Sequence, residues 1–210
     1  MAVLGPTGLV RSSAAWGDAP AACPAWDDRG DRFLLLDDVG DPGARSFHLV
    51  EPGRGLEQLD LPFESVGCGD FVAGDRLVVA ESAGEPDEDG AVWTVGIDGS
   101  DPERVYTAEG CNPQVGGVDP AGERVAIAQT CADVVSSGVL VIDLASGDAT
   151  RVVSGHAALP TWSPFGRWLV FGLIPLGQRE PVGVWIARED GTGLRQAVEG
   201  PVSFPGWLPG

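Results

Sequence analysis

Four cysteines, two histidines and 31 acidic side chains are the groups in this sequence from which chemistry could be built. Nucleophilic hydrolysis needs a base beside its nucleophile. No Gly-x-Ser-x-Gly elbow occurs, His48 falls within a predicted strand, and His156 falls in the Ser154-Gly155-His156 loop. Paired carboxylates for acid/base work are abundant, and none stands out from the rest. Glu85-x-Asp87-x-Asp89-Gly90 spaces oxygen ligands as a calcium loop does, but the distal Glu and flanking helices of an EF-hand are missing. Asp87 and Asp89 are therefore read as a solvated acidic loop and as candidate partner-binding residues. No catalytic residue, metal ligand or cofactor is assigned.

The cysteines suit cross-linking better than metal binding. No Cys-x-x-Cys occurs, and two histidines are a poor supply for a zinc site. Cys23 and Cys68 each stand three residues before an aromatic, Trp26 and Phe71, while Cys111 opens a comparable segment and Cys131 ends the next one. A Cys111–Cys131 disulfide would join the start of one strand to the end of its antiparallel partner. Cys23 and Cys68 hold equivalent places in neighbouring units. They would pair only if those strands approach to the few ångström between Cβ atoms that a disulfide requires. Structural disulfides in an oxidising compartment are preferred, with buried free thiols as the alternative.

These residues are positioned by a phrase written four times. It runs from Trp26 through Gly30 to Leu36, from Phe71 through Gly74 to Ala80, from Val118 through Gly122 to Ala128, and from Trp162 through Gly166 to Gly172. The glycines recur at intervals of 44, 48 and 44 residues, about the length of one four-stranded propeller blade. A second phrase recurs within each unit. Phe47, Trp93 and Trp185 precede Gly53, Gly99 and Gly191 by six residues, and Leu140 precedes Gly147 by seven. The segments between are rich in β-branched and aromatic residues, as strands prefer. In the fourth unit the strands are expected at 159–163, 167–172, 183–188 and 194–198. Trp26, Trp162 and Trp207 share one repeat position and Trp93 and Trp185 another, which marks them as packing residues. Trp16 and Trp168 break the pattern.

The pattern resembles the β-propeller repeats of the TolB family, WD-like units whose core reads Trp-Ser-Pro-Asp-Gly, then Arg or Lys, a variable residue and a hydrophobic run. The resemblance is closest from Trp162 to Phe171 and from Glu189 to Arg195, and it covers nearly the whole chain. Phe165 stands where Asp is usual, and the second unit is a residue short and has no Pro. The expected fold is all-β: one propeller domain over 1–210, of four-stranded antiparallel blades starting near 23, 68, 111 and 159, with partial blades at 1–22 and 204–210. Either both ends complete a five-bladed ring or the chain is a piece of a ring of about six blades, the preferred reading.

The resemblance implies a noncatalytic protein-binding or scaffold propeller of the cell envelope or extracytoplasmic space. It also leaves room for a propeller attached to a prolyl-oligopeptidase-like hydrolase, or for one that binds a carbohydrate or other small ligand. A net charge of −18 with no lysine disfavours nucleic acid and anionic membranes as partners. No apolar run reaches the roughly 20 residues that span a bilayer, and the first ten residues lack a signal segment's basic and apolar regions. A closed ring is expected to be monomeric. Leu173, Ile174 and Leu176 make 172–177 unusually apolar for a loop and are the candidate contacts for a protein partner.

Overall fold

The computed structural model describes residues 3–5, 8–10, 21–37, 45–51, 53–63, 65–82, 88–158, 160–174 and 183–200. Among them there is no helix. β1 (Val3–Gly5) and β2 (Gly8–Val10) form a separate antiparallel pair. The first blade is β3 (Ala21–Trp26), β4 (Phe33–Asp37), β5 (Ser46–Glu51) and β6 (Gly55–Gln58). The second is β7 (Val66–Ala73), β8 (Arg76–Glu81), β9 (Gly90–Gly96) and β10 (Glu103–Ala108). The third is β11 (Cys111–Val118), β12 (Arg124–Cys131), β13 (Gly138–Asp143) and β14 (Ala149–Ser154). Each is an antiparallel meander whose strands pair in chain order.

The fourth blade departs from expectation at its inner edge. β15 (His156–Ala157) and β16 (Thr161–Trp162) both pair with β17 (Leu169–Ile174), which continues to β18 (Gly183–Ala187) and β19 (Arg195–Glu199). The inner strand thus begins at His156, opposite Ile174, rather than at Leu159. It is interrupted where Pro160 has no N–H to give the ladder; Leu159 lies outside the described residues. His156 is a strand residue, not a loop residue.

Strand alternation explains the core. In β8, Leu77 and Val79 face the first blade and pack with Leu34, Leu36, Phe47 and Leu49, while Val78 and Ala80 face the third and pack with Val115, Ile127 and Ile142. The same period of two sends Ile127 of β12 toward the second blade and Ala126 toward Trp162, Leu169 and Phe171 of the fourth. Every second strand therefore serves two interfaces, which is why the second strands read as unbroken apolar runs instead of alternating ones. Trp162 is buried, and Trp93 and Trp185 pack partly buried against these clusters. Trp168 is half-buried between two guanidinium groups, Arg188 and Arg195, at 5.3 and 5.2 Å from its ring centre; Trp16 lies outside the described residues.

Candidate functional site

Three of the four turns between first and second strands share one local chemistry. Asp27 Oδ1 accepts the N–H groups of Asp31 at 2.9 Å and Arg32 at 3.1 Å. Asp119 Oδ1 accepts those of Glu123 at 2.8 Å and Arg124 at 2.9 Å. Ser163 Oγ accepts those of Arg167 at 3.2 Å and Trp168 at 3.1 Å. The Ser or Asp that follows the last inner-strand residue, Trp26, Val118 or Trp162, therefore closes the turn by satisfying two backbone donors. The second blade has Val72 at this place and turns through Gly74-Asp75, with Ala73 opposite Arg76. Gly74 sits at φ 58°, the left-handed conformation that a two-residue hairpin demands. This shorter turn is the physical form of the missing residue in the second repeat.

In the first and third blades the arginine two positions after the turn glycine joins the turn to the next blade. Arg32 binds Asp27 at 3.1 Å, Asp75 of the second blade at 2.7 Å and the Gly74 carbonyl at 3.0 Å, with its guanidinium 5.6 Å from the Phe71 ring centre. Arg124 pairs with Asp119 at 2.8 Å and with Glu189 of the fourth blade, and lies 5.2 Å from the Trp162 ring centre. Burial alone would raise the Asp27 carboxyl. The Arg32 N–H and guanidinium, with the Asp31 N–H, outweigh it and hold the group below 3.8. These arginines went unassigned at the sequence level, although Gly-Asp-Arg and Gly-Glu-Arg recur visibly.

Nearer the axis, the inner strands are stitched directly. Asp70 Oδ2 accepts the Val118 N–H at 2.7 Å, Gln114 Oε1 accepts the Cys68 N–H at 3.1 Å, and Trp162 Nε1–H donates to the Gly117 carbonyl at 3.1 Å. Gly116 permits this approach, since a Cβ there would meet the Pro160 carbonyl oxygen at 2.2 Å. Burial pushes the Asp70 carboxyl up to about 6, against the opposing pull of the Val118 and Phe71 N–H groups. A carboxyl raised above its unfolded value of 3.8 contributes stability that is fully present below about pH 4 and lost as pH rises through about 6. Between pH 4 and 7.5, Asp70→Asn should therefore gain on the wild type by up to about 3 kcal/mol in urea unfolding. A pH-independent difference between the two proteins would refute this.

Between these turns lies a cleft of ≈ 280 Å³ lined by the first three blades. Trp26 and Asp28 come from the first, Asp70 and Phe71 from the second, and Val118, Asp119 and Pro120 from the third. The short turn of the second blade, at Val72, Ala73 and Gly74, forms its floor. Asp119 is committed to Arg124. The Pro164-Phe165-Gly166 turn lies against one lining residue of the cleft, since a Cβ on Gly166 would be 3.2 Å from the Pro120 ring. Phe165, which replaces the usual Asp, is 84% exposed.

The opposite face carries the cysteines. Cys111 is bonded to Cys131 across the first hairpin of the third blade, Cα to Cα 4.2 Å. Cys23 is bonded to Cys68 across the first two blades, with Cα atoms 5.4 Å apart, so neighbouring inner strands do approach closely enough. Asp89 Oδ1 accepts the Gly110 N–H at 2.8 Å and so ties two loops of the second blade. Leu173 is a correction to the apolar-loop reading: it belongs to β17 and is 3% exposed among Phe171, Trp162 and Leu169. Ile174 is half-buried at the strand end. Asp87, Leu176 and the 204–210 segment lie outside the described residues. No group of three metal-ligating side chains occurs among the described residues.

No family model and no curated protein matches the sequence. Solved structures do. The putative TolB from Agrobacterium tumefaciens superimposes with a TM-score of 0.69 at 20% identity, over 90% of this chain and 67% of that one. TolB from Acinetobacter baumannii gives 0.71 at 13%, over 90% of this chain. The fold is that of a TolB-like β-propeller. An oligogalacturonate lyase from Vibrio parahaemolyticus shares the architecture at a TM-score of 0.59 and 11% identity, over 96% of this chain and 59% of the lyase. The propeller spans only 46% of the Acinetobacter TolB chain. No helix among the described residues is long and apolar enough to cross a membrane.

Proposed function

We propose that this propeller is a noncatalytic protein-binding scaffold of an extracytoplasmic compartment. The observation that carries the reading is the three-blade cleft. Its lining supplies shape, apolar surface and carboxylates on a rigid frame, and among the described residues contains no serine, cysteine or histidine. Two disulfides support an oxidising compartment, and the likeness to TolB structures is consistent with a binding role. Sites on loops and turns held by a rigid scaffold are the usual place for recognition. The reading extends to the loops between second and third strands on the disulfide face, where Asp89 lies and which Ile174 borders.

Photo-crosslinking in the producing cells tests it. A benzophenone amino acid at position 165 or 28 should capture a discrete protein, whereas the same group at Ser146, on an outer turn, should not. Equal capture at all three positions, or none, would defeat the binding assignment. Acid quenching followed by alkylation tests the compartment: all four cysteines should resist labelling until reduced, and immediate labelling would place the chain in a reducing one.

A further inference from the structure

We infer that the three-blade cleft receives an arginine side chain from an extended basic segment of a protein partner, with Phe165 as the apolar contact beside it. The inference rests on the binding role proposed above and gives that site its chemistry. Asp28 and Asp70 line the cleft from different blades, Asp70 with each oxygen also accepting one backbone N–H, and among the described residues the lining holds no cationic side chain. Trp26, half-buried and tilted against Phe33 at 4.9 Å between ring centres, forms an aromatic wall of the same cleft. A guanidinium satisfies both features, because it pairs with carboxylates and lies flat on aromatic faces. The chain's own turns use this combination twice: Arg32 over Phe71 with Asp27 and Asp75, and Arg124 over Trp162 with Asp119 and Glu189.

The second blade breaks that scheme, and the break opens the site. Val72 replaces the capping carboxylate, the turn is short, and Arg76 is drawn aside to Thr94 at 2.9 Å. Among the described residues no arginine lines the space that remains. Charge complementarity selects a basic occupant, since the sequence carries −18 overall and would steer a cationic segment toward the face. The 84% exposed Phe165 ring, on the turn whose Gly166 lies against Pro120, offers an adjoining apolar residue of the partner a surface.

The probes are acetyl-Leu-Arg-Leu-amide and its citrulline counterpart, which keeps the shape and loses the charge. Titration is followed by calorimetry for every variant, with the Trp26 indole resonance in NMR as the site-specific readout in the proteins that keep it. The arginine peptide should bind saturably and at least tenfold more tightly than the citrulline peptide. Asp28→Asn and Trp26→Phe should each weaken it about fivefold or more, with melting temperature as the check on folding, and Glu57→Gln on an exposed outer strand should change nothing. Phe165→Ala should weaken this peptide but not acetyl-arginine-amide. Equal binding of the citrulline peptide, or Asp28→Asn and Trp26→Phe variants that fold and bind as the wild type does, would overturn the inference. So would a dimer in sedimentation that Phe165→Ala dissolves, since a second copy would then occupy the face. Crosslinking at position 165 without arginine-peptide binding would remove the cation chemistry alone; absence of both would remove the binding role as well.

Discussion

Replacing Cys23 and Cys68 together by alanine is expected to lower the unfolding free energy by about 4 kcal/mol, more than replacing Cys111 and Cys131. The first bridge spans 45 residues and the second 20. In the chain-entropy view, closing these loops in the unfolded state is worth about 4 and about 3 kcal/mol respectively. Native context widens the gap. Cys111 and Cys131 already face each other in a ladder that runs on to Val118 and Val125, so that hairpin keeps its partner without the covalent bond. Cys23 and Cys68 belong to separate sheets, and their bridge is a covalent bond between the first and second blades. For a domain of this size the first double variant should melt roughly 8–16 °C lower. Calorimetry of both double variants, with and without reductant on the wild type, decides the matter. A larger loss from the Cys111–Cys131 pair would show that the inter-blade staple contributes little.

Much of the frame was legible because each level of the sequence repeats the same statement. The turn glycines, the aromatic before them and the apolar run after them recur together, and the strands lie where the run and the turn place them. What stayed hidden depends on distances between blades, which no local pattern encodes. The Cys23–Cys68 pair was left open for that reason: equivalent repeat positions say nothing of a 5.4 Å approach. The elevated Asp70 carboxyl likewise follows from burial between neighbouring blades, which outweighs the N–H that Val118 of another sheet donates to it. Leu173 misled because the apolar run 172–177 was read as loop, although its first three residues complete β17. Two departures from the repeat, Phe165 and the short second turn, were visible as anomalies. They acquire meaning only in the fold, where the short turn lines a cleft and the Phe165 turn lies against Pro120 of the same lining.

Arg124→Ala should cost about 3 kcal/mol, and the cause can be separated from simple loss of packing. Asp119 keeps only 1% of its side chain exposed, against 27% for Arg124, so removing the guanidinium strands a buried charge. The partial exposure of the arginine lets water recover some of that loss, which places the cost at the lower end of the roughly 3–5 kcal/mol seen for broken buried pairs. Asp119→Ala removes both turn caps and leaves the guanidinium without its nearer carboxylate, and should cost a similar amount. Asp119→Ser should cost only about 1 kcal/mol, because a hydroxyl can accept the same two N–H groups, as Ser163 does in the fourth blade. The ordering Ala worse than Ser at position 119, measured by urea unfolding, is the discriminating result. If serine proved as damaging as alanine, the charge pair with Arg124 would dominate and the turn caps would be secondary. If Arg124→Ala were neutral, the guanidinium would not link the third blade to the fourth, and the apolar cluster around Trp162 and Phe171 would hold that junction alone.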